Sequence, residues 1–298
     1  MSETNLRQAK AELHVMGVLS EKNLGIKTED GHRFITGSLT ISVSDTNSIT
    51  VGVRQNEFTK EGKPNSVYTG LVTVMNEYKS VAEVGKDLAD KVMINRGQVN
   101  PYHNANTNRD VVAYRTNFIN RVREENFEPK AEVEVEIYVA GITPEMYTSG
   151  ENQGEETGRV LLKGWMPTYN GIEPIVFVVP EEDGMAETVR SEFAVGQTYM
   201  IYADVHNTRV ETIREVPVKI GKPRTERTVT YKNELLLTGC SESYEDIDNI
   251  EPYDKEAIQK AIVDREIRIE QAKKQATNNT TQNSKPAPAQ SGRPMPNF

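Results

Sequence analysis

Two groups of residues in this sequence combine aromatic rings with positive charge. The tighter group is Arg159, Lys163, Trp165 and Tyr169. Side chains on an extended chain alternate between faces, so Arg159, Lys163 and Trp165 share one face and Leu162 takes the other. Tyr169 follows at the turn signal Tyr169-Asn170-Gly171. The second group lies within 91–130 and supplies Arg96, Tyr102, Arg109, Tyr114, Arg115, Phe118, Arg121 and Arg123. Between 91 and 123, six Lys and Arg side chains face a single acid, Asp110. On one strand, Tyr114 and Phe118 would share a face and Arg115 and Arg121 the other. Such residues can hold a single strand of nucleic acid, because every base offers a π face to a ring and every nucleotide a phosphate to a cation. Each group also has a plainer reading. The 91–130 cluster is equally a solvated face beside core aromatics, and Trp165 equally a core side chain closing the end of a barrel. Lys219, Lys222, Arg224 and Arg227 form a third basic run around Gly221-Lys222-Pro223, where a charged turn is the commoner meaning.

Other chemistry is missing. The sequence holds no GxGxxG, no GxxxxGK[ST], no HExxH, no CxxC and no GxSxG. His14, His32, His103 and His206 are scattered, and Cys240 is the one cysteine, so neither a metal motif nor an internal disulfide is expected. The expectation is a protein that is not an enzyme and has no cofactor and no metal.

The elements that must position these residues read as mostly β. Leu39, Ile41 and Val43, then Ile49, Val51 and Val53, alternate with polar neighbours and predict a hairpin over 38–54. Leu71 to Met75 reads as a further strand, a short helix is predicted within 80–90, and Gly97 to Asn108 reads as a loop. Val133, Val135 and Ile137 alternate with glutamates, Ile175 to Val179 is an apolar run, and Tyr199, Ile201, Ala203 and Val205 alternate again. A helix is predicted over 254–275 from Ile258, Ile262 and Ile269. The remainder is rich in Asn, Gln, Thr, Pro and Ala and predicts a disordered tail. A length of 298 residues accommodates two domains, and two small closed or partly open β-barrels fit the texture, with a single β-sandwich as the rival. The divisions are 11–105 and 106–238 for the two β domains, 239–253 for an acidic linker, 254–275 for the helix and 276–298 for the tail. The net charge of −9 argues against a generic basic coat on DNA but leaves room for a local basic groove. No apolar run is long enough for a membrane helix and the N-terminus lacks a signal-peptide pattern, so a cytoplasmic protein with no membrane partner is expected.

Taken together, the line from Phe193 to Val205, the Lys163-Gly164-Trp165-Met166-Pro167 segment and the Asn170-Gly171 turn resemble phage-type single-stranded DNA-binding proteins of the OB-fold class. The resemblance spans about 11–235. It implies two OB-like β-barrels with a C-terminal helix and a disordered tail. It also implies non-catalytic single-stranded DNA binding in replication or recombination, by a viral protein working in the host cytoplasm. From the two aromatic-basic groups, the residues expected to hold the strand are Trp165, Tyr169, Arg159, Lys163, Tyr114, Phe118, Arg115 and Arg121. The tail tip Pro294-Met295-Pro296-Asn297-Phe298 would dock replication or recombination proteins through Phe298. The alternative is a structural or protein-interaction module of a virion or replication assembly.

Overall fold

The computed structural model describes residues 6–216 and 224–282. The elements run β1 (Ala11–Glu29), β2 (His32–Ser42), β3 (Ser48–Asn56), α1 (Ser66–Glu77), α2 (Val81–Val84), β4 (Lys91–Asn104), β5 (Arg109–Arg115), β6 (Asn120–Arg121), β7 (Lys130–Met146), β8 (Glu156–Thr168), β9 (Gly171–Val179), α3 (Met185–Glu192), β10 (Thr198–Val216), β11 (Arg224–Cys240) and α4 (Lys255–Gln282). The alternating segments form strands whose apolar sets are buried: Leu39 and Ile41 in β2, Ile49 and Val51 in β3, Val133, Val135 and Ile137 in β7, and Ile201, Ala203 and Val205 in β10. Phe177, in the middle of the apolar run, is fully buried.

The expectation of two OB-like barrels is corrected. All the described strands join one 11-stranded sheet in the order β10-β11-β9-β8-β7-β1-β2-β3-β5-β4-β6. The joint is the first half of β1, which pairs with β7 on one edge (Ala11↔Val135 to Met16↔Lys130) and with β4 on the other (Glu12↔Gln98 to Val18↔Lys91). Further pairings, β1–β4 and β7–β10, fold each half of the sheet back on itself. The contacts that would complete a ring are short parallel ones, Val51↔Tyr114 and Gly52↔Arg115 in one half and the lone Leu236↔Val178 in the other. A strand shared between the halves, with seams one or two pairs long, makes one curled sheet rather than two closed barrels. The sheet needs tight approaches to curl. At Gly37 (φ +148°), an added Cβ would lie 1.9 Å from the Asn23 carbonyl oxygen of β1, so only glycine fits there.

Two other expectations change. Leu71 to Met75 belongs to α1 rather than to a strand. Asn65 caps that helix by accepting the Val67 N–H at 3.0 Å, and the buried residues Tyr68, Leu71 and Val74 fall at helical spacing. Gly97 to Asn104 is strand, not loop. The helix predicted over 254–275 is present and runs to Gln282. The tail tip with Phe298, and Lys219 and Lys222 of the third basic run, lie outside the described residues.

β10 and β11 continue past the body as a two-stranded ribbon, paired from Asn207↔Asn233 to Val216↔Arg224. Its root is tied to the β2–β3 turn: Asn47 Nδ2 donates to the Val205 carbonyl (2.9 Å) and Asn47 Oδ1 accepts the Asn207 N–H (2.8 Å).

The N-terminal segment and the entry to α4 meet at Glu136, a buried acid on β7. Arg7 donates to both of its oxygens (2.6 and 2.8 Å), the Tyr253 hydroxyl donates at 2.8 Å and the Lys10 N–H at 3.1 Å. Burial pushes this carboxyl up, but the bonds from Arg7, Lys10 and Tyr253 outweigh it and hold the group below the usual carboxylate range. A carboxyl depressed in the folded state stabilises the fold above its unfolded pKa of about 4.3, and that stabilisation is lost as pH falls through the folded value. Glu136→Gln is therefore expected to lose stability at about pH 7 and to lose less than wild type on acidification to about pH 3. Denaturant melts at the two pH values check this; parallel acid limbs for the two proteins would refute it.

Candidate nucleic-acid interface

A polar cleft of about 780 Å³ opens where β4 and β5 face the β8–β9 hairpin. One wall is β4. Arg96, Gln98, Asn100 and Tyr102 alternate with the buried Gly97, Val99 and Pro101, so the four polar side chains project outward together. Arg115 enters from the end of β5, which pairs Gln98↔Arg115 and Tyr102↔Val111 across the hairpin. The opposite wall carries Thr168, Tyr169, Asn170 and Glu173. Tyr169 is 90% exposed at the tip of the tight β8–β9 turn. Tyr102 is 40% exposed on the facing strand. Arg96 and Arg115 are exposed and have no carboxylate partner among the described residues. The other acid in the cleft is Glu12, which lies 3.8 Å from His14 Nε2.

The structure brings Tyr169 and Arg115 together here and sets the other expected residues elsewhere. Arg159, Lys163 and Trp165 do share the outward face of β8, as their parity predicts, with Val160, Leu162 and Met166 buried on the other. Arg159 is committed to two acids, donating to Glu145 at 2.6 and 2.7 Å and to Glu234 at 2.8 Å. The bonds to Glu145 and Glu234 drive its pKa further up and hold both carboxyls below their usual range. Lys163 is exposed. Trp165 is half-buried, packed on the core, with the Arg265 guanidinium 5.8 Å from its ring centroid. Tyr114 packs against the core, and burial raises its pKa. It lines a second, more apolar cleft of about 740 Å³ between β5 and β9–β11, which Arg115 also borders. Phe118 lies beyond the end of β5 and is 62% exposed, in a turn held by Thr116. Arg121 donates to the Glu77 carbonyl (2.7 Å), pairs with Asp90 (3.0 Å) and stacks on Tyr78.

Among the described residues, no three His, Cys, Asp or Glu side chains are grouped to hold a metal ion, and no helix is long and apolar enough to cross a membrane.

Comparison with known proteins gives one family and a distant structural likeness. The family model described as YorF matches residues 10–275. No curated protein matches the chain. Among solved structures, the wild-type single-stranded DNA-binding protein from Thermus aquaticus is similar at 9% identity and a TM-score of 0.44, covering 79% of this chain and 93% of that one. A deletion mutant of the same protein (delta 228-252 R190A) is similar at 10% identity and a TM-score of 0.44, covering 82% of this chain and 99% of that one.

Proposed function

We propose that this chain, which belongs to the YorF family, binds single-stranded DNA without catalysis in the cleft between β4–β5 and the β8–β9 turn. The observation that carries the reading is the convergence of Tyr102, Tyr169, Arg96 and Arg115 on one polar cleft, with both guanidinium groups free of carboxylates among the described residues. Two exposed rings are stacking platforms for bases, and two unpaired cations are phosphate contacts. Replication or recombination in the cytoplasm of a phage-infected host is the setting this activity fits, and the apolar tail tip with Phe298 is the segment to recruit partner proteins. The test is titration of the full chain with a labelled thymidine strand of about 30 nucleotides at about 50 and 300 mM salt. Tight binding that weakens at the higher salt is the expected result. No binding at the lower salt would refute the proposal.

A second reading, a protein-interaction module of a virion or replication assembly, is favoured by the ribbon. Ile213, Val229 and Tyr231 lie on its one face, continuous with the core-facing side of β10 and β11, and all are exposed. A stable oligomer that Ile213→Glu disperses, in a protein indifferent to the thymidine strand, would establish that reading instead.

A further inference from the structure

The cleft contains a carboxylate that ought to repel a phosphate. Glu173, on β9, is 7% exposed and lines the wall beside Tyr169. Its charge is met from outside the sheet. Asp254 caps α4 by accepting the Ala257 N–H at 2.7 Å, and the helix lays one face on β9. Along that face, Ile258 and Ala261 are buried, and Arg265 and Arg268 follow at helical spacing. Arg265 Nε donates to Glu173 Oε2 at 2.8 Å and Arg268 Nη2 to Glu173 Oε1 at 2.6 Å. Arg265 also pairs with Asp110, and Arg268 Nη1 donates to the carbonyl of Asn170 in the Tyr169 turn. The turn accepts this close approach because Gly171 (φ +126°) has no Cβ; one added there would sit 3.0 Å from Arg268 Nη1. Neither arginine lines the cleft.

We propose that α4 is a charge-cancelling brace on the strand cleft: Arg265 and Arg268 make it receptive to a polyanion by neutralising Glu173, without touching the strand. Arg268 adds a second service by holding the Tyr169 turn. Both are positioning residues. The inference rests on the cleft being the strand site. It places control of that site in a helix of which the strand itself sees nothing, so anything that lifts α4 from β9 would expose Glu173 and weaken binding.

The test uses the full chain and the thymidine strand of about 30 nucleotides. Wild type is titrated first, so that a failure of the strand-binding reading shows there, before any variant is considered, and takes this inference with it. Given wild-type binding, Arg265→Met is expected to weaken affinity about five- to tenfold, with the slope of log affinity against log salt unchanged. A residue that contacted a phosphate would lower that slope by about 0.7. Glu173→Gln in the Arg265→Met background should restore affinity to within about twofold, because the carboxylate inside the cleft is gone and Asp110 keeps its bond to His103. Arg268→Gln, at a more exposed position, covers the case in which Arg265→Met fails to fold. It should weaken binding likewise and be partly rescued by Glu173→Gln. Affinity unchanged in the arginine variants, a lowered salt slope, or no rescue by Glu173→Gln would each overturn the proposal.

Discussion

Tyr102→Ala together with Tyr169→Ala is expected to abolish most strand binding while leaving the fold intact. One base stacked on an aromatic side chain contributes about 1–3 kcal/mol by alanine substitution, or roughly 5- to 150-fold in affinity. Losing both platforms should therefore cost at least about 25-fold if the two act independently. Stability should change little, since Tyr169 is 90% exposed and Tyr102 is 40% exposed, and neither belongs to the core. Arg96→Ala with Arg115→Ala is the complementary pair. Two lost phosphate contacts should lower the salt slope by about 1.4, taking about 0.7 for each contact to a single strand. The aromatic variant should leave the slope nearly as it was. Wild-type affinity in the tyrosine variant would move the binding site away from this cleft.

The second large effect is one of stability. Arg159 bridges Glu145 and Glu234, and all three side chains are less than a quarter exposed. Removing the guanidinium leaves two partly buried carboxylates facing each other across an empty centre. Lys232 reaches Glu234 at 2.7 Å, while the Thr157 hydroxyl is left to Glu145. Arg159→Ala is expected to destabilise the protein by about 1–3 kcal/mol, the cost of stranding partly buried polar groups. Its strand affinity, measured well below the melting transition, should match wild type. A variant of normal stability and weakened binding would show that Arg159 serves the strand rather than the sheet. Glu145→Gln with Glu234→Gln, made in the Arg159→Ala background, should recover part of the lost stability, because the repulsion is then gone.

The two aromatic-basic segments were legible in the sequence because charge and aromaticity survive without knowledge of the fold. Their internal geometry was less so. Tyr114 and Phe118 sit four residues apart, which on a continuous strand would put them on one face. The strand stops at Arg115, and Thr116 folds the chain into a turn, so one ring enters the core and the other faces out. The β4 wall was missed for an opposite reason. Gly97 and Pro101 read as loop residues, and they mask the alternation of Arg96, Gln98, Asn100 and Tyr102. Pro101 is tolerated because the β1 pairing of β4 ends at Gln98, leaving β5 as the neighbour at that point. A missing N–H costs little on an edge. Leu71 to Met75 reads as a strand because five residues, four of them apolar, are too few to show a helical period; the flanking Asn65 cap and Tyr68 carry the helical signal.

By itself the sequence determined the mostly β character, the core sets of β2, β3, β7, β9 and β10, the tight turn at Tyr169-Asn170 and the C-terminal helix. These depend on contacts close along the chain, where a period of two or 3.6 is written directly into residue order. The tertiary structure decided that β1 is shared between β4 and β7, so that a single sheet forms. It also decided that Arg115 and Tyr169 border one cleft while Arg159 bonds Glu234, and that arginines of α4 pair with Glu173. Each of these joins residues far apart in sequence. Partner choice at such distances depends on strand register and on which charges the packing desolvates, and neither is encoded in local pattern.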